Sequence, residues 1–202
     1  MQHDKLYNKD HYNSLYSASK YCKEYYFKND LYGLWKQIVK YVSKLDFKPK
    51  IIDIGCGTGQ LAHLLWDKGF RDYAGFDYSN VAINIARGFS DQLFFISNAY
   101  NPLNYDTQYN TAIIVEVLEH LENDLSVIQM IKPETKIIFS GPTSGKGGEH
   151  IRSFKSPSWI KKRYSPYIDI ETITGCTKLN KKVVKWYVCS GTRNLHYKGH
   201  KK

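Results

Sequence analysis

Three glycines at alternate positions, Gly55, Gly57 and Gly59, constrain this chain more than any other feature. They follow the short apolar run Ile51-Ile52-Asp53-Ile54 and precede an amphipathic stretch, residues 61–66. That order predicts a strand, a tight turn and a helix. Such a turn presents backbone N–H groups and a helix N-terminus to a nucleotide-like ligand at the edge of an α/β sheet. Glycine suits it because a Cβ would block both the turn dihedrals and the ligand's approach. A dinucleotide fingerprint, G-x-G-x-x-G, would place its third glycine at position 60, which is Gln60.

The segments that follow repeat the strand–helix alternation. Residues 73–77 read as a second strand ending in Asp77, twenty residues beyond Gly57, where a strand-end carboxylate accepts from ribose hydroxyls. Tyr78 is placed to lie against an adenine, and Ser79 to cap a helix over 81–87 that Gly88 stops. A third strand spans 92–97, and the fully apolar run 111–115 suits a central parallel strand. That fourth strand delivers Glu116-Val117-Leu118-Glu119-His120 to the ligand edge. A helix carrying Leu125, Val127, Ile128 and Ile131 leads to a fifth strand at 136–140. The glycine-rich stretch 141–148 reads as a mobile active-site loop, Ser156-Pro157 opens a helix, and Ile168-to-Ile173 and 183–188 form a hairpin-like pair. The pattern predicts an α/β fold: a Rossmann-like, seven-stranded, mostly parallel sheet with helices on both faces and an antiparallel last strand.

The spacing Asp53-x-Gly55-x-Gly57-x-Gly59, with Asp77 downstream, resembles the class I S-adenosylmethionine (SAM)-dependent methyltransferases. The resemblance runs over about positions 50–160 and implies SAM as cofactor and S-adenosylhomocysteine (SAH) as product. It implies that Asp53 and Gly55 lie near the cofactor's amino-acid end, with Cys56, Gly57 and Gly59 beside them. It also places Asn98 and Ala99 at the adenine, Asn98 standing where the family usually has an aspartate and keeping only the carbonyl acceptor. Glu116 would complete the cofactor site.

The candidate chemistry lies at the end of the fourth strand. Glu116, Glu119 and His120 stand at i, i+3 and i+4, a spacing that gathers side chains on one side of a helix, and His150 lies on the next strand-end loop. An alcohol acceptor must lose a proton, which a base or a metal assists; His120, Glu116 and His150 are the candidate catalytic groups. Glu-Val-Leu-Glu-His resembles the ubiquinone-pathway O-methyltransferases and the small-RNA 3′-terminal 2′-O-methyltransferases. The second resemblance implies a divalent metal on Glu116, Glu119, His120 and His150. Capping of a helix by Glu119 and a metal-free His120 base are the alternatives. Arg152 suits a substrate carboxylate or phosphate, or an anchor for its own loop.

The rest of the chain bears on the acceptor. Residues 1–48 form an N-terminal helical extension over a core of 49–202, with a helix capped by Asp30 through Leu31, Leu34, Trp35, Ile38, Val39 and Val42. Its Tyr12, Tyr16 and Tyr26 are candidate substrate contacts. The formal charge is +10, and residues 161–202 hold eleven Lys or Arg against Asp169 and Glu171. Such a segment attracts phosphate, in RNA or in a small substrate, or is a solvated surface. Four cysteines without a CxxC pair, no leader and no membrane-length apolar run suggest a cytoplasmic protein that needs no membrane. The expected function is O-methylation of a polar small molecule, phosphorylated or carboxylated, such as a sugar or nucleotide-linked sugar. RNA 2′-O-methylation, a non-catalytic nucleotide- or RNA-binding module and a nicotinamide oxidoreductase are the rivals.

Overall fold

The computed structural model describes residues 9–18, 25–145, 150–177 and 183–195. In chain order the elements are α1 (Lys9–Ala18), α2 (Tyr32–Val42), β1 (Ile51–Ile54), α3 (Gln60–Asp67), β2 (Tyr73–Asp77), α4 (Asn80–Phe89) and β3 (Leu93–Ile96). β4 (Thr111–Ile114), α5 (Asp124–Met130), β5 (Lys136–Pro142), α6 (Pro157–Tyr164), β6 (Ile168–Thr177) and β7 (Val184–Arg193) follow. The strands form one sheet in the order β3-β2-β1-β4-β5-β7-β6. The β1, β2, β3, β4 and β5 pairings are parallel, and β7 runs antiparallel to both β5 and β6. The predicted seven-stranded architecture is the observed one.

The strand sequences explain why both faces are covered. Successive side chains of a strand point to opposite faces, so a strand buried on both sides reads as an unbroken apolar run. Ile113 and Ile138 join Ile51 on the face packed by α2, α3 and α4. Their neighbours Ile114 and Phe139 join Ile52 and Ile54 on the opposite face, against α5 and α6. α2 buries Leu34, Trp35, Ile38, Val39, Tyr41 and Val42, the stripe read from the sequence plus Tyr41. An eleven-residue helix is marginal alone, so this buried face holds it. α1, by contrast, buries none of its residues.

Several local expectations are corrected. Asp30 does not cap α2: the N-cap is Leu31, without a side-chain bond, and Asn29 makes the turn by accepting the Leu31 N–H at 2.9 Å. Ser79 does cap α4, accepting from the Ala82 N–H, but Gly88 lies inside the helix, which ends at Phe89. Gly141 and Pro142 are not loop: they extend β5, opposite Tyr187 and Trp186. Thr143 is then fixed to β7 through the Lys185 carbonyl, and residues 146–149 lie outside the described ones. Ser156 and Pro157 open α6 as predicted. Among the described residues Cys56, Cys176 and Cys189 are free, and no helix is long and apolar enough to cross a membrane.

The chain leaves β1 outward to β2 and β3, then returns to the other side of β1 as β4. A cleft opens between the carboxyl ends of β1 and β4, the place where open α/β sheets bind ligands.

Candidate active site

The glycine turn is built as its sequence requires. Gly55, Gly57 and Gly59 all take positive φ, at 75°, 54° and 79°. A Cβ on Gly55 would lie 2.4 Å from Val117 Cγ2, so the turn packs directly on the loop after β4. The Gly55 and Cys56 amides donate to the Phe76 carbonyl, fastening the turn to β2. The Gly57 amide donates to one Asp77 oxygen at 3.0 Å, and the Ser79 amide to the other at 2.9 Å. Burial raises the Asp77 carboxyl while these backbone donors pull it down. On β1, Asp53 is 2% exposed and accepts from the Tyr73 hydroxyl at 2.8 Å; burial still pushes it up to about 7.

Two chambers adjoin along this edge. The first, about 350 Å³, is bounded by Asp53, Cys56, Gly57, Thr58, the Asn29–Leu31 turn and Trp35. The second, about 490 Å³, is bounded by Asp77, Tyr78, Asn98, Ala99, His120 and the α1 residues Tyr12 and Leu15. Tyr16, Gly55 and Glu116 line both. The cofactor residues expected from sequence thus fall along one bipartite cleft. Gly59 lines neither chamber; it is the N-cap of α3. Asn98 spends its side-chain carbonyl on the Tyr100 amide at 3.0 Å and keeps one lone pair for a ligand.

Residues 115–122 are not helical, which corrects the i, i+3, i+4 reading. Glu116 sits in the left-handed region, φ 54°, and the His120 amide closes a turn on the Val117 carbonyl. Ser140 on β5 accepts from the Glu116 amide at 3.2 Å and donates to its carboxylate at 2.9 Å. Trp186 on β7 also hydrogen-bonds that carboxylate, which burial nevertheless raises to about 7.

Glu119 is fully buried, and its carboxyl meets that of Glu116 in a side-chain hydrogen bond. Burial, and then the neighbouring Glu116 charge, hold it well above the carboxylate range. Its Oε1 lies 3.9 Å from His120 Nε2, and the His120 and His150 rings are 4.8 Å apart. Glu119, His120 and His150 each offer a ligand atom, all within 4.8 Å of one another. Glu116, expected as a fourth ligand, stands outside this set because Ser140 and Trp186 hold its carboxylate. A buried carboxyl beside two imidazoles is the donor set of two-histidine, one-carboxylate centres and fits a divalent cation.

The proposed substrate contacts divide. Tyr12 meets the His120 ring edge-on at 6.2 Å, and Tyr16 stands at the joint of the chambers. Tyr26 lines neither chamber. Its hydroxyl donates to Asp67 at 2.6 Å on the outer end of α3, the bond that chiefly raises it to about 12. Arg152 is the loop anchor, not a substrate ligand. It donates to the Leu118 and Leu121 carbonyls and, at 3.0 Å, to that of Glu122, with Asp124 3.5 Å away. Together with the Ile151 amide on the Glu119 carbonyl, it straps the His150 segment to the turn after β4. Sequence reasoning missed Ser140 and Trp186, whose strand positions look like ordinary core.

Comparison with known proteins agrees with this geometry. A family described as "Methyltransferase domain" matches residues 27–179. Ubiquinone biosynthesis O-methyltransferases from Acinetobacter baylyi and Rickettsia bellii are 28% and 31% identical over 102 and 99 residues, 45% of this chain in each case. Those matches span 42% and 41% of the relatives' own lengths. A putative methyltransferase from Bacillus subtilis is 28% identical over 130 residues, 58% of this chain and 51% of that protein. Among solved structures, magnesium protoporphyrin IX methyltransferase from Synechocystis, with bound SAH, superposes with a TM-score of 0.67 at 16% identity, covering 92% of this chain and 98% of that one. A Pyrococcus horikoshii protein gives 0.66 at 19% identity, covering 90% and 99%. At these identities the likeness is one of fold.

Proposed function

Because the chain belongs to the methyltransferase-domain family, we propose that it transfers the methyl group of SAM to a hydroxyl oxygen of a polar small molecule. The observation that carries this reading is the bipartite cleft, with Glu116 at its joint and His120, of the Glu119–His120–His150 cluster, on the wall of its second chamber. The first chamber, with Asp53 and the glycine turn, suits the methionine portion of the cofactor, and the second, with Asp77 and Tyr78, suits its adenosine. The sulfonium then lies near the joint, within reach of an acceptor entering beside His120.

Methyl transfer is an in-line displacement: a carbon–oxygen bond forms as the carbon–sulfur bond breaks, sulfur leaves as the neutral thioether, and the hydroxyl proton must go elsewhere. Holding donor and acceptor in line supplies much of the rate. Proton removal falls to the His cluster, since His120 faces the second chamber and an imidazole is a competent proton acceptor. We further propose that Glu119, His120 and His150 can hold a divalent cation, whose chemistry there would be Lewis acidity toward the hydroxyl oxygen.

The relatives' name, O-methyltransferase, supports oxygen as acceptor atom. A sugar or nucleotide-linked sugar suits the polar groups of the second chamber, Asn98 and His120 among them, and tyrosines such as Tyr12 suit a ring. RNA 2′-O-methylation is the second reading, favoured by the basic segment 161–202. Calorimetry with SAM and SAH, followed by labelled-methyl transfer to small hydroxyl compounds and to RNA at two salt concentrations, tests the proposal. Transfer to RNA that collapses with added salt favours the second reading. Absence of SAM and SAH binding overturns both.

A further inference from the structure

α1 stands apart from the rest of the molecule. It has ten residues and none of them is buried, so little hydrophobic burial fixes it, and a helix of that length is marginal alone. Yet Tyr12, Leu15 and Tyr16, at i, i+3 and i+4 on one stripe, form a wall of the second chamber, and Tyr16 closes the joint with the first. The Tyr16 hydroxyl reaches the glycine turn: a Cβ on Gly57 would lie 3.3 Å from it. Something polar must hold α1 there.

Asn13 does so with both ends of its amide. Its Nδ2 donates to Asn80 Oδ1 at 2.9 Å. Its Oδ1 accepts the Ser79 hydroxyl at 2.6 Å and meets the Val81 amide at 3.5 Å. All three partners belong to the first turn of α4. Ser79 is the N-cap there, and its own amide donates to Asp77, whose other oxygen receives the Gly57 amide. The clasp is therefore two hydrogen bonds away from the carboxylate that faces the ribose position, and it seizes the part of α4 whose geometry that carboxylate depends on.

We propose that Asn13 is a positioning residue that clasps α1 over the bound cofactor and sets how long SAM and SAH stay in the cleft. The inference rests on the cofactor reading given above. A ligand filling both chambers lies against Tyr12, Leu15 and Tyr16, and the Asn13 bonds to Ser79 and Asn80 oppose movement of α1 away from it. Because α1 contributes no residue to either core, releasing the clasp loosens the helix and leaves the sheet and its two cores intact.

The test is stopped-flow and calorimetric binding of SAM and SAH to the full chain and to Asn13→Ala, with melting temperatures of the ligand-free proteins. Losing these hydrogen bonds should raise the SAH dissociation rate about tenfold and the Kd in proportion, about 1.4 kcal/mol. The association rate should change little, and the ligand-free melting temperature should stay within about 1 °C of wild type. Asn80→Ala, which removes the Asn13 Nδ2 partner alone, should show a smaller shift in the same direction. An unchanged SAH dissociation rate in Asn13→Ala overturns the clasp, as does a drop of several degrees in the ligand-free protein, which would make Asn13 structural. If wild type itself binds neither SAM nor SAH, it is the cofactor reading that fails.

Discussion

Ser140 holds Glu116 by both its backbone and its side chain: one Oγ accepts from the Glu116 amide at 3.2 Å and donates to the Glu116 carboxylate at 2.9 Å. Glu116 has a left-handed backbone, which costs a non-glycine residue roughly 1 kcal/mol or more, and the hydroxyl offsets that strain. Ser140→Ala should therefore destabilise the protein by about 1–3 kcal/mol, leaving a part-buried amide without its acceptor. It should also lower kcat/KM more than tenfold, since Glu116 lines both chambers. Denaturant melts and steady-state kinetics check the two effects separately.

Asp53 gives the ligand-free protein a pH dependence whose sign is fixed by its burial. Its carboxyl is raised from 3.8 to about 7, so the folded state binds the proton more tightly than the unfolded chain. The contribution is fully present below about pH 4 and is lost as pH rises to about 7; at roughly 1.4 kcal/mol per pKa unit it is on the order of 4 kcal/mol. Asp53→Asn keeps an acceptor for the Tyr73 hydroxyl without the charge. Its melting temperature should vary less between pH 5 and pH 8 and exceed wild type at pH 8, while SAM binding weakens. Equal pH slopes for the two proteins would contradict this.

Of the three glycines in the turn, Gly55 is the least replaceable by alanine. Its φ of 75° and a Cβ only 2.4 Å from Val117 Cγ2 predict both strain and a clash with the loop that carries Glu116. Gly55→Ala should lose at least 100-fold in SAM affinity and about 2 kcal/mol in stability. Adding Val117→Ala relieves the clash and leaves the dihedral strain, so calorimetry on the double variant should recover only part of the affinity.

How much of this was legible in the sequence depends on the range of the interaction. The apolar strands, the glycine turn and the Ser79 and Ser156 caps announce themselves locally, because period-two burial, positive φ and helix capping each select residue types within a few positions. Glu119, His120 and His150 were legible as candidates, and the structure brings them together. The turn that arranges them was not: five residues at helical spacing leave β4 with Glu116 in the left-handed region, which depends on Ser140 and Trp186 from distant strands. The two readings of Arg152 could not be separated in sequence, and Tyr26 was placed at the substrate, for the same reason. A guanidinium or phenol that serves a ligand looks, in sequence, like one that serves the Leu118 carbonyl or Asp67. Asn13 carries no sequence signal at all, since its partners lie 66 to 68 positions away.

Glu119 lends itself to a test that separates a metal centre from a purely protonic site. Its carboxyl is fully buried, and burial disfavours its charged form in the ligand-free protein. If the cluster holds a cation, Mn²⁺ or Mg²⁺ titrated into the SAH-bound protein should bind at one site, and Glu119→Gln should abolish that binding. The same substitution replaces an acid that burial keeps neutral by an amide of nearly equal volume, so it should change the melting temperature little. Chelation should then remove activity from wild type, and added metal should restore it. If instead His120 acts as a base alone, no cation binds, chelation leaves the rate unaltered, and Glu119→Gln slows transfer only by loosening the imidazole 3.9 Å from its carboxylate. The binding isotherm decides between the two independently of any turnover, because it reads the ligand set directly.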